Sequence, residues 1–295
     1  MTSELRRPSW KSYLELCKPK VVALIVFTAI AGMLLAVPGL PPVDLFVYSS
    51  IGIALAAASA AAINHFIDRE ADAQMERNKN RPLPKGELSA NNVLMFALLL
   101  AAISMVLLFT LVNALTAILT FLSGLGYAII YTVYLKRMTP QNIVIAGAFG
   151  ATPPLLGWCA MTGEVHPYSL LLFLIIFVWT PPHFWPLSIA KRKEFAKVGI
   201  PMLPVTHGVE FTRLQILLYS FLLLIVTLLP YLTGMSGLIY LAAVVPLGFG
   251  FIYFAILMMC RKDDKTAMRT FFYSLFYLTI VFVALLVDHY IKFTL

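Results

Sequence analysis

Long apolar runs, each close to the length of a bilayer-spanning helix, alternate with short polar connections along nearly the whole chain. A spanning helix needs about 20 predominantly apolar residues, and nine such runs can be placed, near 20–38, 45–67, 92–112, 114–134, 141–161, 168–188, 214–234, 237–257 and 270–291. The pattern predicts an all-α polytopic membrane protein of nine transmembrane helices, with residues 1–295 as a single domain. Two divisions are slender. Asn113 alone separates the third and fourth runs and a five-residue turn at 233–237 the seventh and eighth, so eight spans is the alternative count.

Composition agrees: 60% of the 295 residues are hydrophobic and 12% charged, outside the range of a soluble domain. The net charge of +8 changes the picture only through its distribution. The cations fall in alternate connections: Arg6, Arg7, Lys11, Lys18 and Lys20; Arg69, Arg77, Lys79, Arg81 and Lys85; Lys136 and Arg137; Lys191, Arg192, Lys193, Lys197 and Arg213; Arg261, Lys262, Lys265 and Arg269. The connections at 37–44 and 162–168 carry none. Such alternation marks cytoplasmic loops, and it argues against a nucleic-acid-binding face. The N-terminus is therefore expected in the cytoplasm, the C-terminus outside, and an anionic water-soluble substrate enters from the cytoplasmic side. The first 19 residues contain Glu4 and Glu15 and no small-residue cleavage site, so a removed signal peptide is not expected. Cys17, Cys159 and Cys260 have no paired or metal-ligand spacing and read as apolar fillers.

Ionisable groups inside a spanning helix cost roughly 2.5 to 3.5 kcal/mol each, so those that persist usually serve chemistry or a water-filled cavity. At the end of the second run Asn64, Asp68 and Asp72 recur every fourth residue, which sets them in one stripe on a helix. Two carboxylates and an amide oxygen are hard ligands suited to Mg²⁺ shared with substrate phosphates. Arg77 and Arg81 follow on a similar spacing and suit diphosphate oxygens, Arg being shaped for bidentate phosphate contact. They read equally well as ordinary positive-inside residues. Pro82 and Pro84 stop the helix. The functional loops are expected at about 68–91 and 189–213.

The second polar cluster closes the sixth run, which has the same direction as the second, so the two loops can face each other. Pro181, Pro182 and Pro186 are expected to break that helix near the membrane surface, exposing backbone that needs a cavity or protein to satisfy it. His183, beside Trp179 and Trp185, is either a packing histidine or an acceptor contact, and Trp185 either an interfacial anchor or a contact to the same acceptor. Lys191 and Lys193 bind phosphate or merely set topology, and Glu194 is the cluster's only acid. A polar helix end followed by Leu83-Pro84-Lys-Gly86 echoes the later Leu203-Pro204 to Gly208. A third group holds Tyr127, Tyr131 and Tyr134 with Lys136 and Arg137; of the tyrosines, Tyr131 is the candidate site residue. The Gly/Pro-containing fifth run, with Gly147, Gly150, Pro153, Pro154 and Gly157, reads first as a close-packing helix.

At these residues the chain resembles the UbiA-type intramembrane prenyltransferases over nearly its whole length. The resemblance is carried by Lys18-Pro-Lys20, Asn64-x-x-x-Asp68-x-x-x-Asp72, Arg81-Pro-Leu-Pro84, Tyr131-Thr to Arg137 with Asn142-Ile-Val, Pro153-Pro154 with Gly157-Trp158, Pro182-His-Phe-Trp185 and Gly199-Ile-Pro-Met-Leu-Pro-Val205. The Pro-His-Phe-Trp and Ile-Pro-Met-Leu-Pro segments are similar to the branch that acts on haem. The family usually carries a second Asp-rich motif near the end of the sixth helix; here Lys191-Arg-Lys-Glu194 stands there, and Glu194-Phe195 replaces the haem branch's usual Asp-Tyr pair.

The resemblance implies nine helices around a central cavity open to lipid. It also implies farnesyl transfer from farnesyl diphosphate to a vinyl group of haem B, with addition of water, giving haem O and diphosphate. On that expectation Asn64, Asp68 and Asp72 hold Mg²⁺; Arg77, Arg81, Lys191 and Lys193 hold the diphosphate; and His183, Trp185, Tyr131 and Glu194 meet the haem. The setting is a bacterial inner membrane, with haem A synthase or terminal oxidase assembly as possible receivers of the product. Competing readings are a quinone-pathway aromatic prenyltransferase with the same first step, a secondary transporter, and a haem-carrying assembly factor.

Overall fold

The computed structural model describes residues 9–76 and 78–291, and all the regular secondary structure among them is helical. A short helix α1 (Trp10–Leu16) leads, through a 52° bend, into α2 (Pro19–Leu35). Then come α3 (Val43–Gln74) and α4 (Ala90–Leu111). The fourth span combines α5 (Ala114–Leu125), a π-helical stretch (Gly126–Leu135) and the turn α6 (Lys136–Met138), and the fifth is α7 (Asn142–Gly150) followed by α8 (Pro153–Thr162). After α9 (Pro167–Ala190) the connection holds α10 (Arg192–Lys197) and α11 (Leu203–Thr206). Last are α12 (Val209–Leu232), α13 (Leu238–Arg261) and α14 (Asp264–Tyr290). Eight stretches among the described residues are long and apolar enough to cross a bilayer alone, and the bent α1–α2 pair makes a ninth.

Both slender divisions are real turns, because side chains satisfy the helix ends they create, Asn113 its own and the distant Asp288 the other. Asn113 caps α5: its Oδ1 accepts from the Thr116 amide at 2.8 Å, and its Nδ2 donates to the carbonyls of Cys159 and Ala160 at 3.0 and 3.3 Å. Between α12 and α13 the chain reverses through Gly234, at φ 75°. Asp288, near the far end of α14, then caps α13 by accepting from the Gly237 amide at 2.5 Å and the Tyr240 amide at 3.1 Å. The loss of either end to lipid without a partner would leave backbone donors unsatisfied.

Small residues bring the spans together. A Cβ on Gly32 would overlap the Pro154 carbonyl oxygen, and one on Gly157 the Ala29 carbonyl oxygen, so α2 and α8 approach at backbone distance. Ser59 donates to the Ala97 carbonyl and Ser104 to that of Gly52, each at 2.7 Å, stitching α3 to α4.

The expected break in the sixth span is absent: α9 runs from Pro167 to Ala190 with Pro181, Pro182 and Pro186 inside it. Each proline deletes one backbone donor, but α9 is packed along α12 and α14, and Trp179 Nε1 ties it to the Ser274 carbonyl of α14 at 2.8 Å. Tertiary packing thus holds a helix that the local sequence would interrupt.

Candidate active site

Asn64, Asp68 and Asp72 lie on one face of α3, buried to 5, 3 and 3% exposure. Asn64 Nδ2 donates to Asp68 Oδ2 at 2.9 Å and to Thr132 Oγ1 at 3.2 Å. Lys18 Nζ donates to Asn64 Oδ1 at 2.8 Å, and Lys136 Nζ to Asp68 Oδ2 at 2.5 Å. Asp72 accepts from Asn78 Nδ2 at 2.8 Å and pairs with the Arg81 guanidinium. Five side chains from three segments, the α1–α2 bend, the return after α3 and the fourth span, therefore converge on one stripe of three residues.

Local irregularities put these partners in place. Lys18 sits at the α1–α2 bend with φ 48° and ψ 61°, a left-handed conformation unfavourable for a side chain with a Cβ. Its ammonium points to Asn64 instead of being carried away on a straight helix. The π-helical stretch widens the fourth span, which is where such stretches tend to mark functional sites. In it Tyr127 and Tyr131 stack with ring centres 5.6 Å apart, and Thr132 donates to the Tyr127 carbonyl at 2.9 Å. Past Gln74 the chain folds back in tight turns, with the Asn78 amide on the Met75 carbonyl and the Arg81 amide on the Asn78 carbonyl, both at 2.9 Å. That return is what brings Arg81 onto the end of α3.

The stripe forms the polar end of a cavity of about 770 Å³, near the upper part of the roughly 300–1,000 Å³ usual for ligand sites. Lys18, Lys20, Arg81 and Lys136 line it against two carboxylates, Asp68 and Asp72, so its polar end carries excess positive charge. A polyanion is the complement to that excess. The cavity continues along α3 past Ala61, Ala60, Ala57 and Ala56 to Ile53, about 16 Å beyond Asn64 at 1.5 Å per residue. Ile25, Leu156, Ile176, Phe184 and Leu278 complete this apolar part. Among the described residues no three His, Cys, Asp or Glu side chains gather as a metal cluster. The donor set nevertheless fits a hard divalent cation: it is all oxygen, and Asp68 Oδ1 is buried with no hydrogen-bond partner.

The remaining sequence candidates divide. His183, Tyr131 and Arg81 line the cavity with the α3 stripe. Trp185 does not: two residues on from His183 it faces the opposite side of α9, 1% exposed, edge-on to Tyr219 at 5.2 Å. Lys191 pairs with Glu194 at 3.1 Å near the surface and Lys193 is exposed, so neither lysine reaches the cavity; α10 turns Phe195 towards it instead. Arg77 lies outside the described residues. Sequence reading missed the roles of Lys18, Asn78, Thr132 and Ser274, and treated Lys136 mainly as a topology signal. The only local clue for Lys18 was its place before a proline at the head of a span.

Residues 25–280 match the model of the UbiA prenyltransferase family, and the chain belongs to that family. Within it, the chain is 64% identical to the protoheme IX farnesyltransferase of Methylococcus capsulatus, over 96% of this chain and 95% of that protein. It is 56% identical to the protein of the same name from Nitrosococcus oceani, over 96 and 95%. Among solved structures, one from work on digeranylgeranylglyceryl phosphate synthase in membranes superposes with a TM-score of 0.80 at 22% identity, covering 95% of this chain and 98% of that one. A UbiA homolog from Archaeoglobus fulgidus, solved bound to DMAPP and Mg²⁺, gives 0.66 at 17%, covering 93 and 99%. These two structures are alike in fold.

Proposed function

We propose that the chain transfers a farnesyl group from farnesyl diphosphate to a vinyl group of haem B, with addition of water, to give haem O and diphosphate. The observation that carries this reading is a single cavity joining an overcharged cationic and carboxylate end to a long apolar chamber. Whole-length identity of 54–64% to proteins named protoheme IX farnesyltransferase supports the choice of substrates. The diphosphate lies among Lys18, Arg81 and Lys136, and the prenyl chain follows the alanine row of α3. Asn64, Asp68 and Asp72 are the residues that would hold Mg²⁺, which on binding neutralises diphosphate charge.

The allylic C–O bond breaks with its electron pair leaving on the diphosphate, whose growing charge Lys18, Arg81 and Lys136 stabilise from preset positions. The apolar walls keep bulk water from the farnesyl cation. The terminal vinyl carbon of haem bonds to the prenyl C1; water then adds to the carbon next to the porphyrin ring and gives up a proton, leaving a hydroxyethylfarnesyl side chain. His183 and Tyr131 line the chamber where the porphyrin sits.

Cations among the described residues crowd the end where the stripe lies, supporting a cytoplasmic site, a cytoplasmic N-terminus and a periplasmic C-terminus in a bacterial inner membrane. The product leaves for haem A synthase or for terminal oxidase assembly. The test is turnover by the purified protein in detergent with haem B, farnesyl diphosphate and Mg²⁺, followed chromatographically. Farnesylated haem is expected. Turnover of an aromatic acid in place of haem would make this a quinone-type enzyme, and no cleavage of any prenyl diphosphate would return the transporter reading.

A further inference from the structure

The chain has five histidines, and their surroundings differ sharply. His166 caps α9 by accepting from the Tyr168 amide, His289 bonds the Val37 carbonyl, and His207 sits at the surface beside Thr206. His65 is buried with neither ring nitrogen bonded, off the cavity wall. Only His183 lines the cavity.

Its ring is clamped on both faces. Trp179 stacks on one side with ring centres 4.1 Å apart and 12° between planes, and Phe271 on the other at 4.7 Å and 23°. Ser274 fastens the assembly from α14: its carbonyl accepts from Trp179 Nε1 at 2.8 Å, and its Oγ lies 2.6 Å from His183 Nδ1. The Ser274 hydroxyl also lies 2.6 Å from the Phe271 carbonyl, which can only accept. A hydroxyl has one proton, so one arrangement alone makes both contacts: Ser274 donates to Phe271, and His183 Nδ1–H donates to Ser274. That tautomer leaves Nε2 with its lone pair on the part of the ring not covered by Trp179, Phe271 or Ser274.

A neutral imidazole whose other nitrogen donates to a fixed oxygen is the form in which histidine binds metals, and histidine is a common axial ligand of haem iron. The geometry points to His183 Nε2 as the axial ligand of the acceptor's iron, an inference that rests on the haem-acceptor reading above. The Fe–N bond sets the height and tilt of the porphyrin, so that a vinyl group is carried to the prenyl C1 and not merely admitted to the chamber. No atom is gained or lost in this step: the imidazole lone pair enters a vacant iron position, and Ser274 keeps the Nδ1 proton in place.

The test is a titration of the purified protein with ferric haem B, read by optical and electron paramagnetic resonance spectra. Wild type is expected to give the signature of an imidazole-ligated iron, and His183→Ala to lose it and regain it on addition of free imidazole. Ser274→Ala, which removes only the orienting oxygen, is expected to weaken haem binding about tenfold while keeping the nitrogen signature. Metal-free protoporphyrin IX should be farnesylated far more slowly than haem by wild type, and His183→Ala should lose that discrimination. A wild-type spectrum without a nitrogen ligand, or a His183→Ala spectrum identical to wild type, overturns the inference even if farnesylated haem is made. Absence of both haem binding and product in wild type overturns the haem reading itself.

Discussion

The two polar clusters at the same end of the molecule look alike in sequence and diverge in space. In the α3 cluster, Asn64, Asp68 and Asp72 are buried and each is met by a side chain from another segment. In the α9–α10 cluster Lys191, Lys193 and Glu194 stay near the surface, and what reaches the cavity is His183 with aromatic side chains such as Trp179 and Phe195. The difference is one of position relative to the bilayer. A carboxylate inside a spanning helix must find partners because hydrocarbon offers none, whereas a lysine past the helix end is satisfied by water and headgroups. Charge at membrane depth therefore carries information about chemistry that charge in a loop does not.

The comparison breaks most visibly at Asp68. Its replacement by Asn leaves the shape and removes the charge facing Lys136, and turnover is expected to fall about a hundredfold or more, on the scale of losing one preset electrostatic contact; a variant within tenfold of wild type would remove Asp68 from the chemistry. Lys136→Met should cost about 2 kcal/mol, roughly thirtyfold in kcat/KM, as expected for one hydrogen bond to a charged group, with most of it seen in kcat because the contact strengthens as charge grows on the leaving diphosphate. Lys191→Ala and Lys193→Ala together should change kcat/KM by no more than about fivefold, because exposed pairs contribute roughly 0–1 kcal/mol. A tenfold loss there would join the two clusters into one site.

The smallest effect belongs to a charge with a purely structural task. Asp263 caps α14, accepting from the Thr266 amide at 2.5 Å and its hydroxyl at 3.0 Å, and the amide bond holds its carboxyl below the usual 3.8. A depressed folded-state value means stability that is present above the unfolded value and lost as pH falls through the folded one. Asp263→Ala should lower the thermal midpoint slightly at pH 7 with activity intact, and the gap to wild type should close on acidification below about pH 4, where the unfolded carboxyl protonates. A gap that is independent of pH would show that the charge is not what caps the helix.

Much of the fold was legible because lipid imposes one rule on every span: about 20 apolar residues with internally bonded backbone. Even the slender turns at Asn113 and 233–237 were readable as polar interruptions, although the partners that secure them, backbone carbonyls of α8 in one case and the Asp288 side chain of α14 in the other, were not. The unbroken α9 shows the limit of local rules, since proline's missing donor is a property of the residue and its tolerance a property of the neighbours. Trp185 shows another limit: adjacency to His183 in sequence becomes opposition on a helix once the face is fixed by packing.

What the sequence determined by itself was the medium, the spans, the side on which charge collects, and the four-residue spacing that aligns Asn64, Asp68 and Asp72. These follow from composition and helical period, which are properties of single segments. Only the tertiary structure decided that Lys18, Thr132, Lys136 and Arg81 complete that stripe, and that Trp179, Phe271 and Ser274 clamp His183. Lys18 reaches Asn64 across 46 positions, Lys136 reaches Asp68 across 68, and Ser274 meets His183 across 91. No local periodicity spans such separations; contact between them exists only once whole helices have packed.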